Sequence, residues 1–120
     1  MLIIKGDKLN DFIILSSVSV ADALMQIDIN SRRGVVVISD TNKVLGFLTD
    51  GDIRKSLIRG IQINSSVIDI INHNFKSIQY EPIDSLTERL ITIFNSFPEI
   101  EIIPLIDSEM NLIALGIRRD

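Results

Sequence analysis

Residues 45–59, LGFLTDGDIRKSLIR, decide the fold of this chain. The apolar run at residues 44–48 predicts a short strand, and the apolar positions of residues 53–58 recur at helical spacing. The strand therefore turns into a helix directly, through residues 49–52. Because the first N–H groups of a helix have no partner within it, such a junction is able to hold an anion.

Thr49 and Asp52 admit two interpretations. Their spacing is that of a capping box, in which a threonine hydroxyl and an acid at the third helical position satisfy backbone N–H groups at the helix start. The same hydroxyl and carboxylate are also suited to hydrogen-bond a ligand. The two roles compete, since one carboxylate has a limited acceptor capacity.

The composition is that of a chain with a packed core: 46% of the 120 residues are hydrophobic, and the mean hydropathy is +0.32. The absence of cysteine excludes disulfides and thiolate sites, and a single histidine, His73 in a polar linker, argues against a histidine-based metal site or triad. No apolar run reaches the roughly 18 to 20 residues of a membrane span, and no signal peptide is visible. We therefore expect a cytoplasmic protein.

The charge of the chain limits its partners. A net charge of −4 argues against nucleic-acid binding, which needs a dense basic surface. A few local cations still suffice for a small phosphorylated ligand. The candidates are Arg32, Arg33, Arg54, Lys55, Arg59, Lys76, Arg118 and Arg119.

The same order of elements occurs twice. The first half predicts a strand at residues 12–15, a helix that is capped by Ser19 and ends near residues 29–33, and a hairpin at residues 34–48. The helix after Asp52 follows, and Gly60 is suited to close it with a left-handed cap. After a short helical linker at residues 67–71, the second half predicts a strand at residues 75–79, a helix capped by Asp84 and Ser85, and a hairpin at residues 101–117. The hairpins align at a constant offset of 68 residues, which pairs Ser39 with Asp107, Gly46 with Ala114, Thr49 with Ile117 and Asp52 with Asp120. Such internal repetition indicates a tandem architecture.

The stretch GFLTDGD at residues 46–52, followed by Ile53 and Arg54, resembles the ribose-binding turn of CBS domains, the regulatory modules named after cystathionine beta-synthase. Together with the duplication, the resemblance to a CBS pair, or Bateman module, covers nearly the whole chain. It implies an α/β fold of tandem CBS domains, two β-α-β-β-α repeats packed about a pseudo-twofold axis. We place domain 1 at residues 8–63 and domain 2 at residues 64–120, with the second repeat truncated at its last helix.

The resemblance also implies a cleft for an adenosine nucleotide such as AMP, ADP or ATP. In it, Asp52 accepts the ribose hydroxyls, Thr49 holds the ribose or a phosphate, Gly51 keeps the turn open, and Arg54 or Lys55 meets the phosphate. The base inserts between apolar residues of the opposite repeat, for which the candidates are Ile78, Ile102, Ile103 and Pro104. Of the corresponding motif in the second repeat only Asp120 remains, so we expect at most one nucleotide per chain.

Three functions stay open from the sequence. The first is a regulatory module that binds an adenosine nucleotide and modulates an attached enzyme. The second is a ligand-free CBS pair that serves as a dimerisation module. The third is a small enzyme, for which a catalytic constellation is missing, because neither Asp52 nor Ser16 and Ser17 have a base partner or a metal-ligand cluster in the sequence. We expect a homodimer, since an apolar chain of this size tends to present an uncovered patch.

We infer the identity of the attached enzyme from the order of domains in similar proteins. Residues 45–60 are similar to the amino-terminal CBS pairs that precede sugar-phosphate nucleotidyltransferase domains of bacterial surface-glycan pathways. This similarity implies a covalently attached catalytic domain after residue 120. Sugar-phosphate isomerases carry similar pairs at their carboxyl end and are the runner-up.

Overall fold

The structure is a computed structural model that describes residues 1–118. The strands and α-helices of this part are, in chain order, β1 (Leu2–Ile4), β2 (Ile13–Leu15), α1 (Val20–Asn30), β3 (Gly34–Ile38), β4 (Val44–Thr49), α2 (Asp50–Ile58), β5 (Ile78–Gln79), α3 (Ile83–Ser96), β6 (Ile102–Ile106) and β7 (Leu112–Ile117). An N-terminal 3₁₀ segment, Gly6–Phe12, lies between β1 and β2, and a second one, Val67–Asp69, lies after α2. We call the elements from β2 to α2 repeat 1, those from β5 to β7 repeat 2, and residues 59–77 between them the linker.

The strands form two sheets, one for each repeat, in the orders β2-β3-β4 and β1-β7-β6-β5. In each sheet the predicted hairpin is antiparallel, and the strand that begins the repeat runs parallel to the first hairpin strand. Every residue of β3 and β6 is buried. Both faces of each strand are covered, which explains why both sequences are continuously apolar.

The two hairpins have the same register at the offset of 68 residues. Gly34 pairs with Thr49 in the first hairpin, as Ile102 pairs with Ile117 in the second. Each hairpin also shifts register once, one residue before the end of its first strand. The duplication that the sequence predicts is therefore confirmed down to the position of the irregularity.

The tips of the hairpins meet at a local twofold axis. The N–H of Val44 donates to the carbonyl of Met110 at 2.8 Å, and the N–H of Leu112 donates to the carbonyl of Asn42 at 3.1 Å. Asn42 and Met110, which are 68 residues apart, both have a φ of +68°. The reciprocal bonds hold the two sheets against each other.

Each sheet also takes up the segment that precedes the other repeat. β1 runs antiparallel to β7, with Ile4 opposite Leu115. In the linker, Asn72 pairs with Phe47 of β4, and their backbones exchange two hydrogen bonds of 2.9 Å. The same offset of 68 relates these two pairs. Residues 2–10 show no clear pattern in the sequence, because a three-residue strand that pairs with β7 leaves no local signal.

Three apolar clusters form the core. One lies between the helices and the sheet of repeat 1, one lies between α3 and the sheet of repeat 2, and the central cluster lies between the two sheets. Within residues 1–118, none of the helices combines the length and the apolar character that crossing a membrane requires.

The helices of repeat 1 begin and end as the sequence predicts. The hydroxyl of Ser19 accepts the N–H of Asp22 at 3.1 Å at the start of α1. After α2, Gly60 has a φ of +107°, and the N–H of Ile61 reaches back to the carbonyl of Ser56 at 3.0 Å. This Schellman-type ending needs a residue that adopts positive φ easily, which glycine does.

The prediction that Asp84 and Ser85 cap the third helix is wrong. In the described structure α3 begins at Ile83, Pro82 is its N-cap residue, and no side chain caps it. The carbonyl of Pro82 accepts the N–H of Ser85 at 3.1 Å and that of Leu86 at 3.2 Å. Asp84 thus lies within the first turn, where its charge favours the helix dipole without capping.

The predicted strand at residues 75–79 is also too long, since β5 contains only Ile78–Gln79. The N–H of Asn74 donates to the side-chain oxygen of Asn72 at 2.9 Å, which turns the chain within the linker. Residues 74–76 then line a cavity instead of pairing with β6.

Asp107 organises the tip of the second hairpin. Its carboxylate accepts the side-chain N–H of Asn111 at 2.9 Å and the backbone N–H groups of Asn111 and Glu109 at 2.9 and 2.8 Å. These hydrogen bonds, the one from the Asn111 side chain first, hold the pKa of Asp107 below its ordinary value. An ionised Asp107 thus fixes the turn that carries Met110 to the twofold contact.

Candidate functional site

A cavity of about 720 Å³ opens between the two repeats at the start of α2. This volume is typical of sites for small organic ligands. Repeat 1 contributes Arg32, Arg33, Phe47, Thr49, Asp50, Gly51 and Arg54, the linker contributes Asn72, Asn74, Phe75 and Lys76, and repeat 2 contributes Phe97, Glu99, Ile100, Glu101, Ile102 and Pro104. The cavity therefore depends on both repeats and on the linker.

Among the described residues of the cavity wall, cations outnumber acids. The cations are Arg32, Arg33, Arg54 and Lys76, and the acids are Asp50, Glu99 and Glu101. The Glu101 carboxylate is already paired, since it lies 3.4 Å from Nε of Arg118. The described wall thus carries four cations against three acids, and this positive formal charge favours an anionic ligand.

Three phenyl rings, those of Phe47, Phe75 and Phe97, belong to the apolar part of the wall. The ring of Phe47 lies over Gly34, where an added Cβ would be 2.7 Å from it, so the glycine leaves the room that the ring occupies. Nζ of Lys76 lies 4.6 Å from the ring centre of Phe97 and makes a cation–π contact. These rings offer aromatic surface to a planar ligand group.

The capping box predicted at the start of α2 is confirmed. Oγ1 of Thr49 accepts the N–H of Asp52 at 3.0 Å, and Oδ2 of Asp52 accepts the N–H of Thr49 at 3.2 Å. Next to it, the N–H of Gly51 donates to the Asp50 carboxylate at 2.9 Å. The cap uses one carboxylate oxygen of Asp52, and a carboxylate has a second.

The structure separates the residues that the sequence suggests as ligand contacts. Five of them line the large cavity together: Thr49, Gly51, Arg54, Ile102 and Pro104. Asp52 lies instead on the wall of a neighbouring, smaller cavity of about 380 Å³. Asp50, which the sequence does not single out, is the carboxylate of this turn that lines the large cavity.

Ile103 and Ile78 lie away from the cavity. Successive side chains of a strand face opposite sides, so Ile103 points away from the face that carries Ile102 and Pro104. Ile103 and Ile78 are fully buried in the cluster beneath α3. Asp120, the candidate residue of a second site, lies outside the described residues.

The cavity also brings together residues that the sequence presents only as scattered cations, namely Arg32, Arg33 and Lys76. Two of these cations could be assigned to the site from their position in the sequence. Residues 32–33 directly precede β3, whose first residue pairs with Thr49 at the end of β4. The phenyl rings carry no comparable signal, because apolar residues near strands are ordinarily read as core.

The cleft that the 68-residue offset relates to this cavity is occupied by the chain itself. The offset relates Phe47, Thr49 and Pro104 of the cavity wall to Leu115, Ile117 and Val36, in that order. These three equivalents are buried in the central cluster, and Leu9 and Phe12 of the N-terminal 3₁₀ segment, which contacts β3 and β7, pack against that cluster. The side chains of Gln26 and Asn30 hold this segment by donating to the carbonyl of Asp11 at 2.8 and 3.0 Å.

A difference in length explains the asymmetry. Ten residue steps separate Ile4 from Ile14, whereas six separate the corresponding residues Asn72 and Ile78. The four additional residues belong to the lead-in of repeat 1, where the chain forms the 3₁₀ segment. The shorter path before repeat 2 leaves the cavity at Thr49 open.

No family profile matches the chain. The chain is similar to an uncharacterized protein of Helicobacter pylori strain J99, at 33% identity over 55 residues, and to an uncharacterized protein of strain 26695, at 31% identity over 55 residues. The matched segment is 46% of this chain and only 17% of each relative. The chain thus spans a small part of the length of these relatives.

Solved structures give a broader match. The CBS domains of a transcriptional regulator from Streptococcus pneumoniae are 19% identical, with a TM-score of 0.65 over 91% of this chain and 83% of that one. CbpB in complex with c-di-AMP is 14% identical, with a TM-score of 0.69 over 88% and 70%. The cytosolic domain of the Mg²⁺ channel MgtE in complex with ATP is 14% identical, with a TM-score of 0.63 over 88% and 41%.

These likenesses extend over most of the chain and include both repeats. They agree with the two sheets, the twofold contact of the hairpin tips and the constant offset, and they confirm the fold that the motif at residues 46–52 predicts. In fold, the chain is a tandem pair of CBS domains.

Proposed function

We propose that the chain is a cytoplasmic, non-catalytic regulatory module that binds one adenosine nucleotide in the large cavity. The observation that carries this proposal is the cavity of about 720 Å³ itself, whose described wall combines four cations, three phenyl rings and the start of a helix. A nucleotide has the matching groups, since it joins anionic phosphates to a planar base. CbpB and MgtE, whose structures contain c-di-AMP and ATP, share the fold and support this ligand class.

The wall residues suggest a role for each part of the ligand. Arg54 and the hydroxyl of Thr49 serve the phosphate or the ribose, and Gly51 allows close approach because it presents no side chain. Ile102 and Pro104 form the apolar surface for the base. We propose that the second carboxylate oxygen of Asp52 accepts a hydrogen bond from the ribose hydroxyls. The Asp50 carboxylate is the alternative acceptor.

We further propose that the module modulates an attached enzyme, a sugar-phosphate nucleotidyltransferase that follows residue 120. The support is the similarity of residues 45–60 to the CBS pairs that precede such domains. The Helicobacter relatives, of which the chain spans 17%, are consistent with a module in a longer protein. We also propose that CBS domain 1 comprises residues 8–63 and CBS domain 2 comprises residues 64–120.

A ligand-free dimerisation module is the second candidate function. The observation that favours it is the exposure of apolar side chains on the helices: Met25 and Ile29 of α1 are 64% and 62% exposed, and Ile58 of α2 is 81% exposed. Exposed apolar patches often mark protein contacts. A homodimer is compatible with both candidate functions, so nucleotide binding is the property that separates them.

Calorimetric titration with AMP, ADP and ATP tests the proposal. We expect one nucleotide per chain with micromolar or weaker affinity, because the chain is acidic overall and the related cleft is filled by Leu9 and Phe12. Arg54→Gln should weaken binding by about tenfold to a hundredfold, the effect of losing a hydrogen bond to a charged group.

Arg59→Gln is the matched control for Arg54→Gln. It removes the same charge from the end of the same helix, away from the large cavity, and should leave affinity nearly unchanged. Saturation at two nucleotides per chain would contradict the single site. Undetectable binding of all three nucleotides to folded protein would refute the nucleotide module and favour the dimerisation module.

Asp52→Asn tests the ribose contact separately from the cap. The change should cost about 0.3 to 1 kcal/mol of stability, because an amide favours the helix dipole less than a carboxylate does. If Asp52 also accepts the ribose hydroxyls, nucleotide affinity should fall by about tenfold or more. Thermal melts and titrations of Asp52→Asn and Asp50→Asn decide the point. A loss of affinity in Asp50→Asn alone would move the ribose contact to Asp50.

A further inference from the structure

Arg118 lies where β7 ends, beside the last turn of α3. Its Nε donates to the carbonyl of Ile100 at 2.8 Å, and its Nη2 donates to the carbonyls of Phe94 at 2.7 Å and Phe97 at 2.9 Å. The Glu101 carboxylate lies 3.4 Å from Nε. The guanidinium thus satisfies carbonyls that the end of a helix leaves without partners.

Three of the residues that Arg118 holds, Phe97, Ile100 and Glu101, form part of the cavity wall. They belong to the connection from α3 to β6, which has no regular secondary structure of its own. One side chain therefore ties the repeat 2 wall of the cavity to the end of β7.

Arg32 reaches the same point from repeat 1. Its Nη1 donates to the backbone carbonyl of Arg118 at 2.8 Å, and Arg32 also lines the cavity. The N–H of Arg32 donates to the side chain of Asn30 at 2.7 Å, and the flanking Ser31 and Arg33 have φ values of +58° and +68°. This tight turn presents the guanidinium of Arg32 to the cavity and to Arg118 together.

We propose that a phosphate-bearing ligand in the cavity stabilises the end of β7 through Arg32, so that occupancy of the cavity affects the chain at residue 118. This inference rests on the proposed function and adds a route by which ligand binding in the cavity is transmitted to the end of β7. The Arg118 carbonyl takes a bond from Nη1, one of the two terminal nitrogens of the Arg32 guanidinium, and the planar fork of a guanidinium is suited to bind a phosphate beside a carbonyl.

The coupling has a physical cause in side-chain freedom. A bound phosphate restrains the Arg32 side chain, and the bond to Arg118 then forms with a smaller additional loss of conformational freedom. Linkage makes the effect reciprocal, so an ordered end of β7 also raises the affinity for the ligand.

Amide hydrogen exchange of the 120-residue chain, followed by NMR with and without saturating ATP, tests this coupling. The amide of Arg118 reports the end of β7, because it donates to the carbonyl of Glu101 at 2.9 Å. We expect ATP to slow exchange at Ile117 and Arg118 by about fivefold or more. Leu112, at the other end of β7, should change less.

Arg32→Gln and Arg33→Gln form a matched pair. Both remove one cation from the cavity wall and should weaken ATP binding, but Arg32 is the member that donates to Arg118. At ATP concentrations that saturate each variant, we expect the slowing to disappear in Arg32→Gln and to persist in Arg33→Gln. Arg32→Lys keeps the charge yet lacks the planar fork, so it should also lose the slowing.

Titration of the same samples distinguishes this inference from the proposed function. If AMP, ADP and ATP do not bind folded wild-type protein, both are refuted. If ATP binds while exchange at Ile117 and Arg118 is unchanged or faster, the coupling is refuted and the binding site stands. Equal slowing of exchange in wild type and Arg32→Gln would also refute the coupling through Arg32.

Discussion

Replacement of Gly46 by alanine is expected to lower the free energy of unfolding by about 3 kcal/mol, the upper end of the cost of overpacking. An added Cβ would lie 2.6 Å from the carbonyl oxygen of Asn72 and would also overlap the side chain of Ile71. The linker is not free to withdraw, because Asn72 and Phe47 exchange two backbone hydrogen bonds. The first glycine of the motif at residues 46–52 is thus required by the close approach of the linker backbone.

Gly51→Ala is the matched control, since it makes the same chemical change five residues further on. The nearest atoms to an added Cβ are 3.7 and 3.8 Å away, which is ordinary contact. Alanine in a helix is favoured over glycine, so this variant should gain about 0.5 to 1 kcal/mol. Urea unfolding followed by circular dichroism measures both. Similar stabilities for the two variants would contradict the packing explanation of Gly46.

Arg118→Met is expected to destabilise the chain by about 2 to 4 kcal/mol. The substitution keeps an unbranched apolar chain but removes the donor to three backbone carbonyls, those of Phe94, Phe97 and Ile100. The Arg118 side chain is only 24% exposed, so water replaces these bonds poorly. The loss should appear as a lower urea midpoint with an unchanged slope.

The control is Arg89→Met, which removes an arginine from an ion pair at the surface. Nη1 of Arg89 lies 2.6 Å from the carboxylate of Glu81, and the two side chains are 48% and 35% exposed. Such pairs contribute about 0 to 1 kcal/mol. An effect of Arg118→Met no larger than that of Arg89→Met would show that the carbonyls find other partners.

The hairpins, α1 and α2 were accessible from the sequence because their signals are local. Ser19 and Thr49 cap helices at the predicted positions, and Gly60 ends one. The start of α3 was not accessible, since Pro82 and Asp84 are both good residues for a helix start and only the tertiary context selects between them. The sequence does not predict β1, because its strand character depends on pairing with β7.

The sequence likewise predicts only one wall of the cavity. Thr49, Gly51 and Arg54 belong to one continuous motif, and the sequence places them together. The opposite wall is assembled by the linker and by the connection between α3 and β6, whose positions depend on contacts distant in sequence, such as those of Arg118. Strand alternation decides that Ile102 faces the cavity while Ile103 does not, and the sequence does not show which face that is.

The N-terminal 3₁₀ segment limits the saturation behaviour that the proposed function allows. With Leu9 and Phe12 packed in the related cleft, the proposed function gives each chain one nucleotide site instead of two. Two coupled sites in one chain allow a sigmoidal saturation curve, whereas a single site gives a hyperbolic one. Under the proposed function, four additional residues before β2 make the monomer a graded sensor of nucleotide concentration, and a switch-like response would require communication between separate chains.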